Sequence, residues 1–421
     1  MSSQAQIRRP GRLTDCARVV EGRRSQPNVR GRSRMSSERC AVVGVGMTKM
    51  SKCRDDVSMA GLVREAAIRA MEDAEMTWAD VEAVVIGTAP DIFEGVMMPE
   101  LYLADALGAA GKPIMRVHTA GSVGGSTAVV ATHLIESRVH ERVLTLAFEK
   151  QSEGDTNFAF SSGRSGGVGA GGYFAPHIRA YIERSGAPAY VGPMVAVKDR
   201  KNALKNPYAH LQIPDISIEM VMESPFVWDP IHRLESCPTS DGACAMVLTN
   251  EAGGRAAAAN GSGKPPAWVH GTAVRTELGW FPGRDPVNPR GGQDCAADVY
   301  RQAGVTNPRA DFDVVECYVP FSWYEPMWME NLGFAEVGEG WKMTESGATS
   351  MEGDLPVNCS GGVLSSNPIG ASGMLRFAEA AQQVRGLAGE HQIADAHRAL
   401  GHAYGGAAQY FSMWVVASDA P

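Results

Sequence analysis

The sequence lacks any pair of cysteines in a C-x-x-C pattern, although it contains eight cysteines. They are scattered along the chain at positions 16, 40, 53, 237, 244, 295, 317 and 359. Zinc sites of the finger or ribbon type need closely spaced pairs, so this spacing excludes them. A chain of 421 residues is also too large to need a disulfide framework, and we expect a reducing, cytoplasmic setting.

An excess of basic residues and a long apolar run are also missing. Lys and Arg total 39 against 47 Asp and Glu, which gives a net charge of −8. This balance argues against nucleic-acid binding through a basic surface. No apolar run approaches the ~20 residues that a membrane-spanning helix needs, so we expect no membrane span.

Residues 1–38 differ from the rest of the chain. They contain nine Arg against three acidic residues, with scattered Pro, Gly and Ser and little apolar periodicity. No apolar core follows the arginines, which argues against a signal peptide. We predict a disordered Arg-rich extension, or an upstream start codon with Met35 as the natural start, and a transit peptide stays open as an alternative.

From Cys40 onward, apolar strands alternate with amphipathic helices. This order predicts an α/β fold with a mostly parallel sheet. The same rhythm returns after residue 256, which indicates a duplication. The predicted elements are strands at 40–45, 81–86, 114–119, 142–148, 268–274, 313–318 and 409–417, and helices at 58–74, 100–109, 122–137, 296–303, 322–332 and 374–384.

A turn of small residues at 119–126 is the most informative segment. It leaves an apolar strand and opens an apolar helix, so its backbone N–H groups can approach a ligand at a helix N-terminus. Ser122 lies at this turn, where a nucleophile would be expected. A serine hydroxyl, however, needs an adjacent base to react.

Five segments resemble the thiolase superfamily, closest to its sterol-carrier-protein branch, in family order from about residue 39 to the C-terminus. The last one combines P-x-N-x-S-G-G with a segment that resembles G-H-P-x-G-A-x-G, and it is the most specific. The segments are the Ser122 turn, Asn206-Pro207-Tyr208-Ala209, Cys237–Ala245, Val315–Phe321 and Pro356–Gly373. The ending His402-Ala403-Tyr404-Gly405-Gly406-Ala407 resembles the closing glycine-rich loop of the family.

Three side chains differ from the family pattern. Ser122 stands where the family has its reactive Cys, Asn367 where it has the His of G-H-P, and Tyr318 where it has a His. Asn cannot take a proton from a serine, so Ser122 has no base beside it. The glycine framework is retained, and the chain resembles a thiolase without its acyl-transfer residues.

The resemblance extends to bacterial steroid side-chain aldolases, which lack the Cys and use Tyr for proton transfer. It implies retro-aldol cleavage of a bulky β-hydroxyacyl-CoA into a ketone or aldehyde and a short acyl-CoA. Tyr318, Tyr404 and His402 are then the candidates for proton transfer, and Asn367 orients a carbonyl or water. Residues expected to bind the substrate or stabilise its oxyanion are Ser122, Asn358, Ser360, Gly361, Gly405 and Gly406.

The resemblance also implies the architecture and partners. We expect two duplicated βαβαβαββ halves in five αβαβα layers, at 39–255 and 256–421, with a loop domain inserted at about 150–235. It implies a homodimer, in which the strand near 114–119 pairs across the two-fold axis. A separate OB-fold and zinc-ribbon protein would complete a heterotetramer. No cofactor is expected, because coenzyme A is part of the substrate.

Two other functions stay open on the sequence. One is an acyltransferase or thiolase with a displaced nucleophile, and the other is a non-catalytic subunit that binds lipid or acyl-CoA. Cys317 and Cys359 are candidates for a displaced nucleophile, but both fit buried structural thiols better. The aromatic and Met cluster at 323–329 fits core packing, with an apolar pocket or partner surface as the alternative.

Overall fold

The computed structural model describes residues 38–89, 95–154, 169–279 and 283–421. Residues 38–421 form one compact unit. The strands are β1 (Cys40–Met47), β2 (Ala83–Gly87), β3 (Ile114–Val117), β4 (Arg142–Lys150), β5 (Phe226–Trp228), β6 (Ile231–His232), β7 (Asp241–Asn250), β8 (Ala267–Thr276), β9 (Val314–Glu316), β10 (Arg398–Gly405) and β11 (Tyr410–Ala417).

The first seven α-helices are α1 (Met59–Asp73), α2 (Pro99–Leu103), α3 (Val123–Glu136), α4 (Gly169–Ser185), α5 (Val191–Ala203), α6 (Ile218–Glu223) and α7 (Glu251–Ala259). The others are α8 (Arg290–Ala303), α9 (Pro308–Asp311), α10 (Tyr324–Asn331), α11 (Gly340–Glu345), α12 (Gly362–Ser365) and α13 (Ile369–Arg385). Short 3-10 helices cover Gln151–Glu153, Arg233–Glu235 and Gly389–His391. No helix in the described ranges is long and apolar enough to cross a membrane.

Nine of the described strands form one sheet in the order β3-β2-β4-β7-β1-β8-β11-β10-β9. Strands β1 and β8 join the two halves through only two residue pairs, Ala41 with Trp268 and Val42 with Ala267. The parallel pairs are β2 with β3, β2 with β4, and β9 with β10. The remaining neighbouring strands pair antiparallel, so the sheet is mixed. Within each half, the antiparallel pairs arise because the last strand runs back alongside strands formed earlier in the same half.

Helices α3 and α13 lie side by side between the two halves of the sheet. Each of them contacts β4 of the first half and β10 of the second. Helix α1 packs outside β1 and β7, and α8 packs outside β8 and β11. The expected five-layered α/β fold is therefore confirmed. The central helices approach closely at Gly124, where a Cβ would lie 2.5 Å from the backbone nitrogen of Met374.

Helix α1 shows why apolar periodicity predicts a helix correctly in an outer layer of the fold. Its N-cap is Ser58, whose hydroxyl accepts a hydrogen bond from the Gly61 N–H at 3.1 Å. Its apolar residues fall on one face and are buried against the sheet, among them Leu62, Val63, Ala66 and Ala70. The predicted strand at 40–45 and helix at 58–74 are confirmed within one or two residues.

Other elements differ from the pattern-based prediction. Helix α13 begins at Ile369 rather than at 374, because the glycine-rich stretch before Met374 is itself helical at the tight α3–α13 crossing. Helix α2 ends at Leu103 rather than at 109. Strand β10 carries Gly, His and Tyr instead of an apolar run, so its strand character was missed.

The segment between β4 and β7 carries the additional structure that we predicted as a loop domain. Helices α4, α5 and α6 and the β5–β6 hairpin belong to it, while residues 155–168 lie outside the described ranges. Lys198 on α5 is partly buried and bonds Glu325 Oε2 of α10 at 2.7 Å and the backbone oxygen of Val357 at 2.7 Å. The segment is thus fastened to the second half of the molecule. The predicted extension at 1–38 lies outside the described residues except for Glu38.

Candidate active site

A cavity of about 210 Å³ lies where the α3 turn, the end of β9, the start of α13 and the end of β10 meet. Its lining includes Ala120, Gly121, Phe174, Cys237, Tyr318, Asn367, Tyr404, Gly405 and Gly406. A larger cavity of about 630 Å³ adjoins it and shares Cys237, Phe321, Asn367 and Ile369 with it. Residues far apart in sequence therefore line one partly open cleft, which is where chemistry on a bound ligand would take place.

Tyr318 follows β9 and lines the smaller cavity. Its hydroxyl donates a hydrogen bond to Asn367 Oδ1 at 3.3 Å. The same oxygen accepts a hydrogen bond from Ser372 Oγ at 2.8 Å, and Asn367 Nδ2 donates to Cys237 Sγ at 3.2 Å. Burial raises the pKa of Tyr318 above its ordinary value of 10, so the phenol keeps its proton at neutral pH. Tyr318 therefore carries a proton that only a strong base, such as a carbanion or enolate, would remove.

Tyr404, on β10, lines the same cavity. Its ring centroid lies 5.8 Å from that of Tyr318. The side chain is 2% exposed, and its hydroxyl has no hydrogen-bond partner among the described residues. Burial raises its pKa as well. A buried hydroxyl without a partner is costly in a folded protein, so this group is placed to bond a substrate oxygen.

His402 lies two residues before Tyr404 on the same face of β10 and does not line the cavity. Its ring packs against Trp328 and Phe411, at 5.3 and 6.2 Å between centroids. Nδ1 accepts a hydrogen bond from the Tyr318 backbone N–H at 3.3 Å. Burial lowers the pKa of His402 to about 3, so the ring is neutral. The role of His402 as a base that meets the substrate stays a prediction, and in this structure His402 supports the backbone of Tyr318.

This burial predicts a pH-dependent contribution to stability. Below pH 6.5 the unfolded chain protonates His402 while the folded chain does not until about pH 3, so stability falls as the pH falls through this window. The slope for one such group is about 1.4 kcal/mol per pH unit. His402→Gln should remove it in urea titrations at pH 4–7, whereas the exposed variant His397→Gln should follow the wild type. Parallel curves for wild type and His402→Gln would contradict the assignment.

Ser122 does not line the cavity, and its side chain is fully buried. Its hydroxyl donates to the backbone oxygen of Thr119 at 2.8 Å, and its backbone N–H also bonds that oxygen at 3.2 Å. Both groups are occupied, so neither can hold a substrate oxygen in this arrangement. The substrate role of Ser122 stays a prediction, and Ala120 and Gly121 form this part of the wall, with Ala120 at a positive φ of 51°.

Asn358, Ser360 and Gly361 lie behind the cavity and do not line it. Asn358 Oδ1 accepts a hydrogen bond from the Cys317 N–H at 2.8 Å, and Ser360 Oγ donates to Glu316 Oε2 at 2.8 Å. The contact of these residues with the substrate stays a prediction, and in this structure the Asn358 and Ser360 side chains bond other parts of the protein. Asn358 also donates to Asp199 of α5 at 3.3 Å, so these residues join the inserted segment to β9.

The comparisons with known proteins agree with this geometry. A family model described as "Thiolase C-terminal domain-like" matches residues 275–418. An acetyl-CoA acetyltransferase from Methanothermobacter thermautotrophicus is 30% identical over 379 residues, covering 87% of this chain and 96% of the relative. The chain belongs to the thiolase superfamily. Human sterol carrier protein 2 is 30% identical over 390 residues, covering 87% of this chain and 70% of that protein.

A solved structure described as an Ltp2-ChsH2(DUF35) aldolase is similar over the whole fold. Its TM-score is 0.75 at 25% sequence identity, and the match covers 91% of this chain and 98% of that one. The sequence resemblance to a thiolase-like protein of the sterol-carrier branch is thereby confirmed. The reaction of this chain is a separate question, because the relatives include both acetyltransferases and an aldolase.

The closing glycine loop of the thiolase fold contacts the turn at Ser122. A Cβ on Gly405 would lie 2.5 Å from the backbone nitrogen of Gly121, so any side chain must push the two loops apart. Gly405→Ala should cost about 1–3 kcal/mol of stability and lower kcat/KM by displacing the adjacent Tyr404. Gly61→Ala is a matched control, because its Cβ would meet only ordinary contacts at 3.4 Å. Equal stability and activity in the two variants would contradict the close approach.

Cys237 is the cavity residue that our sequence reasoning missed. We weighed Cys317 and Cys359, which are fully buried and line neither of the two cavities. In the sequence, Cys237 stands at the start of a motif that runs into β7. Its place at the end of the inserted segment is the signal that could have identified it as a cavity residue. Burial raises the pKa of its thiol to about 12, so the thiol is protonated at neutral pH and is a weak nucleophile.

Proposed function

We propose that the chain cleaves a bulky β-hydroxyacyl-CoA by retro-aldol chemistry, releasing a ketone or aldehyde and a shorter acyl-CoA. The observation that carries this proposal is the pair of buried tyrosines, Tyr318 and Tyr404, that line one cavity beside a glycine loop. Both can exchange protons with a substrate, whereas the residue at the family's nucleophile position is turned into the protein. No acyl-enzyme is needed for this reaction.

The reaction balances with two proton transfers. The β-hydroxyl gives up its proton, the Cα–Cβ bond breaks, and its electron pair moves into the thioester as an enolate. A second proton then adds to Cα. Both phenols are un-ionised, so we assign by contacts: Tyr318, held by Asn367, delivers the proton to Cα, and Tyr404, whose hydroxyl has no partner among the described residues, meets the β-hydroxyl. Donors around an enolate oxygen are typically worth about 3 kcal/mol each.

The larger cavity supports a bulky apolar acyl group. Apolar side chains dominate its lining, among them Leu211, Ile213, Val227, Leu234 and Phe321. Lys52 and Arg233 are exposed residues of the same lining and suit the phosphates of coenzyme A. We propose a steroid side-chain thioester, supported by this volume and by the similarity to the Ltp2-ChsH2(DUF35) aldolase. Coenzyme A enters as part of the substrate, and no other cofactor takes part.

The assembly is also part of the proposal. Within the described residues β3 pairs with β2 alone, which leaves its outer edge open for the same strand of a second copy. We therefore propose a homodimer. The similar aldolase is named as a pair of components, Ltp2 and ChsH2(DUF35), which supports a second component here. From the family resemblance we propose that this partner carries an OB-fold and a zinc ribbon and completes a heterotetramer. We propose the cytoplasm as the site of action.

The test is incubation with the CoA ester of a 17-hydroxy steroid side chain, with and without a co-expressed candidate partner. Mass spectrometry of the products should show a 17-ketosteroid and a shorter acyl-CoA. The CoA ester of the same side chain without the 17-hydroxyl is the control, and it should stay intact because its β-carbon cannot become a carbonyl. Unchanged hydroxy ester under both conditions, or acyl transfer to free coenzyme A, would contradict the proposal.

One observation favours an acyltransferase as the second candidate: Cys237 lines the cavity and bonds the residue at the family's catalytic His position. Acyl transfer would require its thiol to ionise, and Asn367 cannot accept the proton. Acyl mass on Cys237 would support this candidate. The third candidate, a non-catalytic lipid-binding subunit, requires Tyr318→Phe and Tyr404→Phe to leave the activity of the native complex unchanged.

A further inference from the structure

A second tyrosine lies directly behind Tyr404, outside the cavity. Tyr324 on α10 is fully buried, and its ring centroid lies 5.6 Å from that of Tyr404 with the planes inclined by 34°. The Tyr404 hydroxyl lowers the pKa of Tyr324, and Tyr324 contributes to the raised pKa of Tyr404, although no hydrogen bond joins the two hydroxyls in this structure, so the gap must close when substrate binds. Phe174 and Trp328 pack on both rings, so bulk water is excluded from the space between them.

The Tyr324 hydroxyl has a proton acceptor on its other side. Its oxygen lies 3.2 Å from His177 Nδ1, on α4 of the inserted segment. His177 is only 6% exposed, and burial lowers its pKa to about 4, to which the nearby Arg284 guanidinium also contributes. The Asp285 carboxylate acts to raise the pKa of His177. The Tyr173 ring packs edge-on against the His177 ring, with 6.0 Å between centroids. The imidazole is therefore neutral at pH 7 and keeps one unprotonated ring nitrogen, although it is a weaker base than a free histidine, so a proton on it is short-lived.

This arrangement answers a chemical need of the cleavage reaction. A neutral Tyr404 can accept the proton of the substrate β-hydroxyl only if it releases its own proton at the same time, because a doubly protonated phenol is inaccessible in water or protein. Neither Asn367 nor Tyr318 supplies a base for that proton. The structure offers Tyr324 and His177 on the side of Tyr404 that faces away from the cavity.

We propose that Tyr404, Tyr324 and His177 form a proton relay, which rests on the proposed function. The substrate β-hydroxyl proton bonds to the Tyr404 oxygen, the Tyr404 proton moves to the Tyr324 oxygen, and the Tyr324 proton moves to His177 Nδ1. The electron pair of the Cα–Cβ bond enters the enolate, and Tyr318 gives its proton to Cα. Loss of one proton from His177 and return of one to Tyr318 restore the starting state, so no proton is gained or lost overall.

The relay predicts which residues outside the cavity matter. Tyr324→Phe keeps the ring and removes one hydroxyl, so it should lower kcat about 10²-fold or more while KM stays within about twofold. Tyr181→Phe is the matched control, because Tyr181 is an equally buried tyrosine whose hydroxyl bonds Glu330 at 2.9 Å. It removes a buried hydroxyl from the same core cluster without touching the relay and should keep kcat within about twofold.

A second variant separates the relay from a structural role. His177→Gly should lose kcat to a similar degree, and added imidazole should restore part of it in proportion to its concentration. Partial rescue of His177→Gly together with the kcat loss in Tyr324→Phe supports the relay. If the wild-type protein cleaves the substrate and Tyr324→Phe does so with the same kcat, the relay is overturned and the proposed function stands. Wild-type protein that cleaves no β-hydroxyacyl-CoA overturns both.

Discussion

Tyr318→Phe is expected to lower kcat for the cleavage of a β-hydroxyacyl-CoA by about 10²- to 10⁴-fold, the usual contribution of a positioned acid or base. The substitution removes only the hydroxyl that bonds Asn367 Oδ1 at 3.3 Å and lines the cavity. The ring still fills its place. Because the hydroxyl acts on Cα in the transition state, kcat and kcat/KM should fall together. Steady-state kinetics by product mass measures both.

The control for this variant is Tyr300→Phe. Tyr300 is another buried tyrosine, and its hydroxyl donates to the backbone oxygen of Leu332 at 2.9 Å, away from both cavities. It should lose some stability and keep its kcat. Calorimetric titration with the acyl-CoA product should give similar affinities for wild type and Tyr318→Phe. Full turnover by Tyr318→Phe would exclude the proton-transfer role of this residue.

Arg376→Met is expected to destabilise the protein by about 3–5 kcal/mol, because it leaves a buried carboxylate without its partner. Arg376 Nη1 lies 2.5 Å from Glu316 Oε2 and 2.8 Å from Ser360 Oγ, and both charged side chains are almost fully buried. Glu316 belongs to β9, two residues before Tyr318. The ion pair therefore holds the end of β9, which carries Tyr318 into the candidate site, against α13. The free energy of unfolding in urea measures the effect.

A double-variant comparison makes this prediction specific. Arg376→Met with Glu316→Gln removes both charges and should recover part of the lost stability, since no uncompensated charge then stays buried. Arg290→Met removes an exposed pair with Asp294 on α8 and should change stability little. If Arg376→Met and Arg290→Met cost the same, the buried pair is not important for folding.

The sequence was most informative where local pattern and packing coincide. Helix α1 and the paired strands follow apolar periodicity, because each buries one continuous face. The glycines that match the family pattern include Gly405, which in the structure lies directly beside the Ser122 turn. Tyr318, Tyr404 and Asn367 were placed by resemblance, and the structure brings them into one cavity.

The remaining site residues depend on side-chain directions, which a motif does not encode. Ser122 occupies the position of a family nucleophile, but its hydroxyl bonds Thr119 because the turn directs it inward. His402 and Tyr404 share a face of β10, but only Tyr404 lines the cavity. Cys237 arrives from the end of the inserted segment, whose sequence pattern was weak. These side-chain positions are set only when the Ser122 turn, strand β10 and the inserted segment pack together.

Stabilisation of an enolate without a covalent acyl-enzyme is most directly tested by hydrogen exchange. The protein, with its partner where one is needed, is incubated in D₂O with the short acyl-CoA product alone, and deuterium at Cα and the intact mass of the protein are followed together. The account predicts deuterium incorporation that Tyr318→Phe abolishes, with the protein mass unchanged. Acyl mass on Ser122 or Cys237, or the absence of exchange by a wild-type protein that binds the thioester, would contradict it.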